Sequence, residues 1–289
     1  PRPGGGGRRG DRLFQGAGAG AAGLILLAAL ALTWELASSS HETWKAFGFK
    51  FLLTSTWDPV AEQFGALPFL YGTAASALLA LLIAVPLGVG CAVFLTELAP
   101  KRVSEVLMFA IELLAAVPSV ILGLMGIFVL VPMVRWLGSP YGVGLLSAGL
   151  ILAFMILPYI TSITREVLLT VPRPLKEGMY ALGATRWEVV RGVSLPYARS
   201  GIIGAVFLAL GRALGETMAV TMVIGNDPRI SWSLYDPAYS MAAVIANELA
   251  EAASDAHLSA LVAIGLTLLL VTVVINGAAR LMIYRLEKR

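Results

Sequence analysis

The sequence predicts an all-α polytopic membrane protein with six transmembrane helices. Three observations carry that reading. Only 13% of the residues are charged, where a soluble domain carries roughly 25%; 58% are hydrophobic, and the mean hydropathy is +0.82. Several apolar runs approach or exceed the roughly 20 residues that cross a bilayer as helix. The runs are continuous rather than alternating, which excludes a transmembrane β-barrel.

Residues 1–12, PRPGGGGRRGDR, read as a flexible basic tail. The glycine run is no phosphate loop, because no Gly-Lys-Ser/Thr follows it there or anywhere in the chain. Any ATPase acting with this chain is therefore a separate subunit. The first span covers 13–37, with Trp34 near the interface. Residues 38–68 form an outer polar and aromatic segment. Its Trp44, Phe47, Phe49, Phe51, Trp57 and Phe64 suit the headgroup level, and Pro59 and Pro68 argue against one continuous helix. A permease-like core occupies 69–280. Its first span, 69–96, holds Pro86 and the single cysteine, Cys91, so no intrachain disulfide forms. Lys101 and Arg102 lie in a tight turn.

The run 104–134 has 31 residues. As a straight helix it would be about 46 Å long, against a hydrocarbon core of about 30 Å. It must tilt, extend beyond the membrane or break, and Pro118 with Gly123 and Gly126 marks the place to bend. The next span is 142–164, with Pro158. A basic amphipathic stretch, 176–191, follows as one short helix with Met179, Leu182 and Trp187 on a shared face. Then come a span over 200–224 and an acidic loop. Residues 241–252 of that loop read as an amphipathic helix, with Val244, Ile245 and Leu249 on one side and Glu248 and Glu251 on another. The last span is 257–279, and 281–289 form a second basic tail.

Charge fixes orientation. Lys and Arg number four in 1–12, two in 97–103, six in 165–199 and four in 280–289, sixteen in all. The opposite side carries Lys45, Lys50, Arg135 and Arg229. The positive-inside rule places both termini and the 176–191 stretch in the cytoplasm.

Arg212 and Glu216 lie inside the fifth span, four residues apart, and so share one face of a continuous helix. Arg212 is about 20 Å along the helix from Arg199, too deep to snorkel to the cytoplasmic side. Arginine at mid-bilayer costs about 2.5–3.5 kcal/mol even on insertion scales, so it faces a partner, a cavity or a path. Its planar fork of donors suits a tetrahedral oxyanion, and Glu216 would orient it and offset its charge. The alternative is an ion pair that only joins helices. Gly211 and Gly215 make a small-xxx-small pair for close helix approach. Glu112, eight residues into the 104–134 run, is either an interfacial carboxylate or a path residue. Ser119 sits beside the carbonyl that Pro118 leaves without a donor, as in broken helices that line cavities. His41 and His257 are isolated, no metal-ligand spacing occurs, and no nucleophile–base pattern appears.

The stretch KEGMYALGATRWEVVRGVSLP, 176–196, resembles the EAA loop of ABC-importer permeases. It has Glu177, then Gly183 six residues on, then Val193-Ser194-Leu195-Pro196. It departs from that pattern at Gly178 and Met179, where two alanines are usual, and at Val193, where isoleucine is. Residues 71–100, 111–124 (IELLAAVPSVILGL), 156–168 (ILPYITSITREVL) and 211–226 (GRALGETMAVTMVIGN) resemble the PstC family of phosphate-importer permeases. The likeness runs from about residue 66 to the C-terminus; residues 1–65 carry little of it.

The resemblance implies a type I ABC-importer permease fold in the bacterial inner membrane, with a cytoplasmic coupling helix and no catalysis in this chain. It implies a PstA-like second permease, a PstB-like ATPase dimer that uses ATP-Mg, and a PstS-like phosphate-binding protein outside. This chain itself would bind no cofactor and no nucleic acid; lipid and phosphate are its other partners. Arg212 and Glu216 match the family's translocation residues. Glu177, Ala181, Leu182, Gly183, Leu195 and Pro196 fall in the ATPase-coupling loop. Rival readings are a permease for sulfate or molybdate, an ATP-independent channel or secondary transporter, and a membrane scaffold. The last leaves Arg212 and Glu216 with packing alone.

Overall fold

The computed structural model describes residues 7–287, and the described residues are helical without strands. Six helices are long and apolar enough to cross a membrane: Phe14–Ser39, Leu67–Leu98, Ser119–Trp136, Leu145–Leu169, Arg186–Leu214 and Asp255–Arg285. Of the tail read over 1–12, residues 1–6 lie outside the described residues and 7–12 begin helix α1 (Gly7–Ser39). The second tail likewise continues the last helix as far as Glu287, and 288–289 lie outside the described residues.

Two helices form the centre, α4 (Leu67–Val93) and, later in the chain, Leu145–Leu169. Ala77, Ala80 and Ala84 recur on one face of α4, all at most 1% exposed. Small residues let the two backbones approach. A Cβ on Gly149 would stand 2.5 Å from Leu79 Cδ2, and one on Gly88 would stand 2.8 Å from Ile160 Cγ2. Ile151, Leu152, Ile156 and Ile160 fill the other half of this core.

Most aromatics of the segment 38–68 pack into the protein. The segment folds as α2 (His41–Phe47), α3 (Lys50–Leu53) and a loop pinned by the Asp58–Gln63 bridge. Phe51 and Phe64 are buried against Phe69, Tyr239, Met241, Val244 and Leu261, although Phe49 remains exposed. Trp57 donates to Glu248 Oε2 at 2.9 Å, and His257 Nε2 lies 3.1 Å from the same oxygen. His257, read from the sequence as isolated, is thus an interior partner of Glu248 and stacks on Phe64. The sequence hides this cluster because 191 positions separate Trp57 from Glu248.

The 104–134 run divides. Helix α5 (Lys101–Ala115) ends before Pro118, and α6 (Ser119–Met125) starts after it. Proline lacks the N–H, its ring meets the carbonyl four residues back, and it forces Val117 out of helical geometry. A wide π turn, Gly126–Leu130, leads into α7 (Val131–Trp136). Only the part from Ser119 on is a span. The amphipathic α5 buries Ser104 and Met108, and Glu112 stays exposed on it, outside the span.

Helix α8 is Leu145–Leu169. The 176–191 stretch is not one helix. It forms α9 (Arg173–Ala181) and α10 (Arg186–Val189), separated by a turn in which Gly183 takes φ +85°. A reciprocal cap starts α10: Glu188 N–H donates to Thr185 Oγ1, and Thr185 N–H donates to Glu188 Oε2 at 2.7 Å. Met179, Leu182 and Trp187 therefore share no helical face. A second wide turn, Val190–Ser194, enters α11 (Leu195–Leu214). That helix stops ten residues short of the expected 224, at the Gly215-Glu216-Thr217 break, and α12 (Met218–Thr221) follows. The acidic loop contributes α13 (Met241–Glu248), capped by Ser240; Leu249 beyond it is exposed rather than packed with Val244. Helix α14 (Asp255–Glu287) closes the bundle.

Candidate functional site: two broken helices and a basic coupling segment

The short helices that follow the two breaks, α6 and α12, pack together. A Cβ on Gly123 of α6 would stand 2.9 Å from Ala219 Cα and 2.7 Å from Met222 Sδ, beside α12. Two interrupted helices thus pack against each other just beyond their breaks. At membrane depth such backbone is tolerated where it lies in protein or lines a watery cavity.

Arg212 sits in the last turn of α11, before its break. Its guanidinium carbon lies 4.4 Å from the centroid of the Tyr159 ring on α8. The cation lies over the ring, and the guanidinium carries five N–H donors. Among the described residues no protein acceptor takes them, and the residue is exposed on the single chain. Glu216 is not one helical turn above Arg212 on a shared face, because the helix has ended. Its Oε1 accepts from Ala219 N–H at 3.4 Å, at the start of α12. No ion pair joins Arg212 to Glu216 among the described residues, so the simple stapling reading loses its contact. Ser119, half-buried, opens α6 just past Pro118, and among the described residues its hydroxyl makes no hydrogen bond. Gly211 faces Asn276 of α14, where a Cβ would stand 3.7 Å from Oδ1; Gly215 has only its own preceding turn nearby within this chain.

Tyr159 was not legible as a site residue. An aromatic among apolar residues of a span has no marker until the fold sets a cation over it.

At the other end, α9, the Gly183 turn and α10 form the basic segment. A groove of about 990 Å³ runs between α9 and the start of α11, lined by Leu175, Met179, Leu182, Pro196, Tyr197 and others. Leu182 is 87% exposed and Trp187 58%. Glu177, Ala181 and Gly183 are exposed too, Leu195 is half-buried, and Pro196 opens α11. Thr185 holds the Glu188 carboxylate from two atoms, its backbone N–H at 2.7 Å and its hydroxyl at 2.8 Å, and so fixes where α10 begins. Behind this surface Lys176 Nζ meets Glu97 Oε1 at 2.6 Å.

The comparisons agree with this architecture. The family model described as binding-protein-dependent transport system inner membrane component matches residues 84–288. A phosphate transport system permease protein PstC of Mesorhizobium japonicum is 48% identical over 96% of this chain and 91% of its own length. PstC proteins of Xylella fastidiosa (44% identical, 97% and 93% covered) and Haemophilus influenzae (46%, 91% and 89%) are similarly related. A solved bacterial alginate ABC transporter chain superimposes with a TM-score of 0.61 at 16% identity, covering 91% of this chain and 93% of that one. A chain of the MetNI methionine ABC transporter gives 0.58 at 21%, covering 77% and 94%. With six spanning helices, a basic segment between two of them and these relatives, the chain belongs to the inner-membrane components of binding-protein-dependent ABC importers and, among them, to the PstC permeases.

Proposed function

We propose that this chain is half of the pore of an ATP-driven inorganic phosphate importer. The observation that carries the reading is Arg212, whose donors meet no protein acceptor among the described residues and stand beside the break that ends α11. A planar donor fork suits two oxygens of a phosphate at once. The Tyr159 ring holds the fork by its face without neutralising it. Glu216, close in sequence and unpaired with it, limits the positive potential so that an anion passes rather than stays. Ser119 supplies a hydroxyl at the facing break. Glu112 is exposed on α5 and is not assigned to the path. The names of the relatives supply phosphate as the anion; sulfate or molybdate is the second reading, since the fork alone fits any tetrahedral oxyanion.

In this reading the basic segment is cytoplasmic, as are both termini, in line with sixteen of the 21 Lys and Arg residues falling on that side. The exposed Leu182, Trp187 and the groove between α9 and α11 receive a PstB-like ATPase, which binds and hydrolyses ATP-Mg; this chain holds no nucleotide. A PstA-like permease covers the exposed face bearing Arg212, and a PstS-like protein delivers phosphate at the side of the 38–68 aromatic segment. ATP binding draws the coupling segments together, the pore opens outward, phosphate enters, and hydrolysis resets it.

The test is uptake of labelled phosphate by proteoliposomes containing the full complex, with and without ATP and the binding protein, and with sulfate and molybdate as competitors. ATP-dependent uptake competed only by phosphate is the expected result. Uptake without ATP would overturn the importer reading; ATP-driven uptake of another oxyanion would overturn the substrate.

A further inference from the structure

Glu97 lies in the wide turn Phe94–Leu98 that ends α4, and its side chain is 8% exposed. One oxygen, Oε1, accepts from Lys176 Nζ at 2.6 Å and from Ser194 Oγ at 2.8 Å. Lys176 belongs to α9, its side chain 17% exposed; Ser194 belongs to the wide turn that enters α11 and is fully buried. A single carboxylate oxygen therefore joins the end of one spanning helix, the start of another and the segment outside them. Ala92, Val93, Leu168, Val190 and Ala198 form a buried apolar cluster drawn from the same elements and from α8.

Both membrane-side partners come from π turns. Such a turn adds a residue to the helical repeat and re-aims every side chain after it, and π turns concentrate where function needs them. Here one re-aims Glu97 and the other Ser194 toward the same lysine. A surface ion pair would break and re-form as the chain moves. A buried, charge-assisted contact of this length resists separation, because parting the two would strand a charge out of water.

We propose that Glu97, Lys176 and Ser194 form the joint through which movement of the 173–194 segment is passed to α4 and α11. Glu97 is a positioning residue: it touches neither anion nor ATPase, and it makes the segment and both helices one body. Movement imposed on α9 by an ATPase then turns α11, whose far end carries Arg212. The inference rests on the importer reading above.

The experiment measures ATP hydrolysis and phosphate uptake in the same proteoliposomes, on the complete complex, for wild type, E97Q, S194A and the exchange E97K/K176E. The expected result for E97Q is ATPase activity within about twofold of wild type, with phosphate moved per ATP reduced at least tenfold. S194A, which keeps the ion pair, should lower the ratio by a smaller factor, and the exchange should recover part of what E97Q loses. A role in folding alone would lower hydrolysis and uptake together, in step with assembled complex. That outcome, failure of all three variants to assemble, or an unchanged ratio in E97Q would each overturn the joint. Absence of ATP-driven uptake in the wild-type complex would instead sink the importer reading, and the joint with it.

Discussion

Replacing Arg212 separates charge from fork. In R212A an anion at the break loses the donors around the guanidinium edge, which no described protein group supplies in their place. Hydrogen bonds to charged groups contribute about 1.5–3 kcal/mol each. Two parallel bonds at the lower figure amount to about 3 kcal/mol, which slows passage about a hundredfold if they act at the highest barrier. R212K keeps the charge and one directed bond but not the paired geometry, so uptake should fall about tenfold. Y159L removes the stack under the guanidinium, worth about 0.5–1 kcal/mol at a partly exposed site, and should slow uptake about two- to fivefold. The assay is initial uptake of labelled phosphate at saturating binding protein, normalised to assembled complex. The order wild type, Y159L, R212K, R212A is the expectation. Uptake by R212A within twofold of wild type, with R212A assembled normally, would refute an anion-facing role and leave Arg212 as packing on Tyr159.

Other positions test other parts of the chain. Gly149→Leu drives a side chain into Leu79, already 2.5 Å from the position of a Cβ; overpacking of this kind costs about 1–3 kcal/mol, and a lowered Tm of the chain in detergent checks it. Gly183→Val imposes φ +85° on a β-branched residue, at a cost of about 1–3 kcal/mol, and should weaken co-purification of the ATPase while leaving the six spans folded. Thr185→Ala removes the hydroxyl that accepts from Glu188 N–H and starts α10, a cap worth about 1 kcal/mol. Amide exchange at Glu188 in nanodiscs should speed up about fivefold, with the core of α8 unchanged.

The spans were legible because apolar length and the absence of charge are enough to name a membrane helix. Their interruptions were harder. Pro118 announces itself, and the chain does break there. The end of α11 at Leu214 has no proline, only Gly215 followed by Glu216 and Thr217, and a helical period drawn through them placed Arg212 and Glu216 on one face. Helix propensity at one glycine is too small to fix a boundary when packing of Gly123 against Ala219 and Met222 decides it. The aromatic cap failed differently: hydrophobicity located Phe51 and Phe64 near the membrane but could not choose lipid over Met241 and Leu261 as the surface they bury against. Gly183 was legible as a position, its left-handed turn was not, and so two short helices were read as one. Glu97 stood unremarked beside Lys101 because its partners are 79 and 97 residues away.

The charges of this chain sort by whether they are paired within it. Lys176 and Glu97 are sunk in protein and bonded to one another, and separation would be costly, so they serve a fixed geometry. Arg212 lies in the last turn of its spanning helix and is bonded to no carboxylate among the described residues; only a ring face steadies it. A cation left in that state in hydrocarbon would be expelled or neutralised. It persists only if the face that carries it looks onto water, onto a second permease, or onto a passing anion. The helix breaks beside it make the same demand, since their carbonyls and N–H groups also need wet or polar surroundings. The proposed water-filled path between two permeases would meet both requirements at once. On this chain Arg212 is exposed at the end of α11 although Ala213 and Leu214 beside it are buried, so a second permease is where the proposed path would find its other wall.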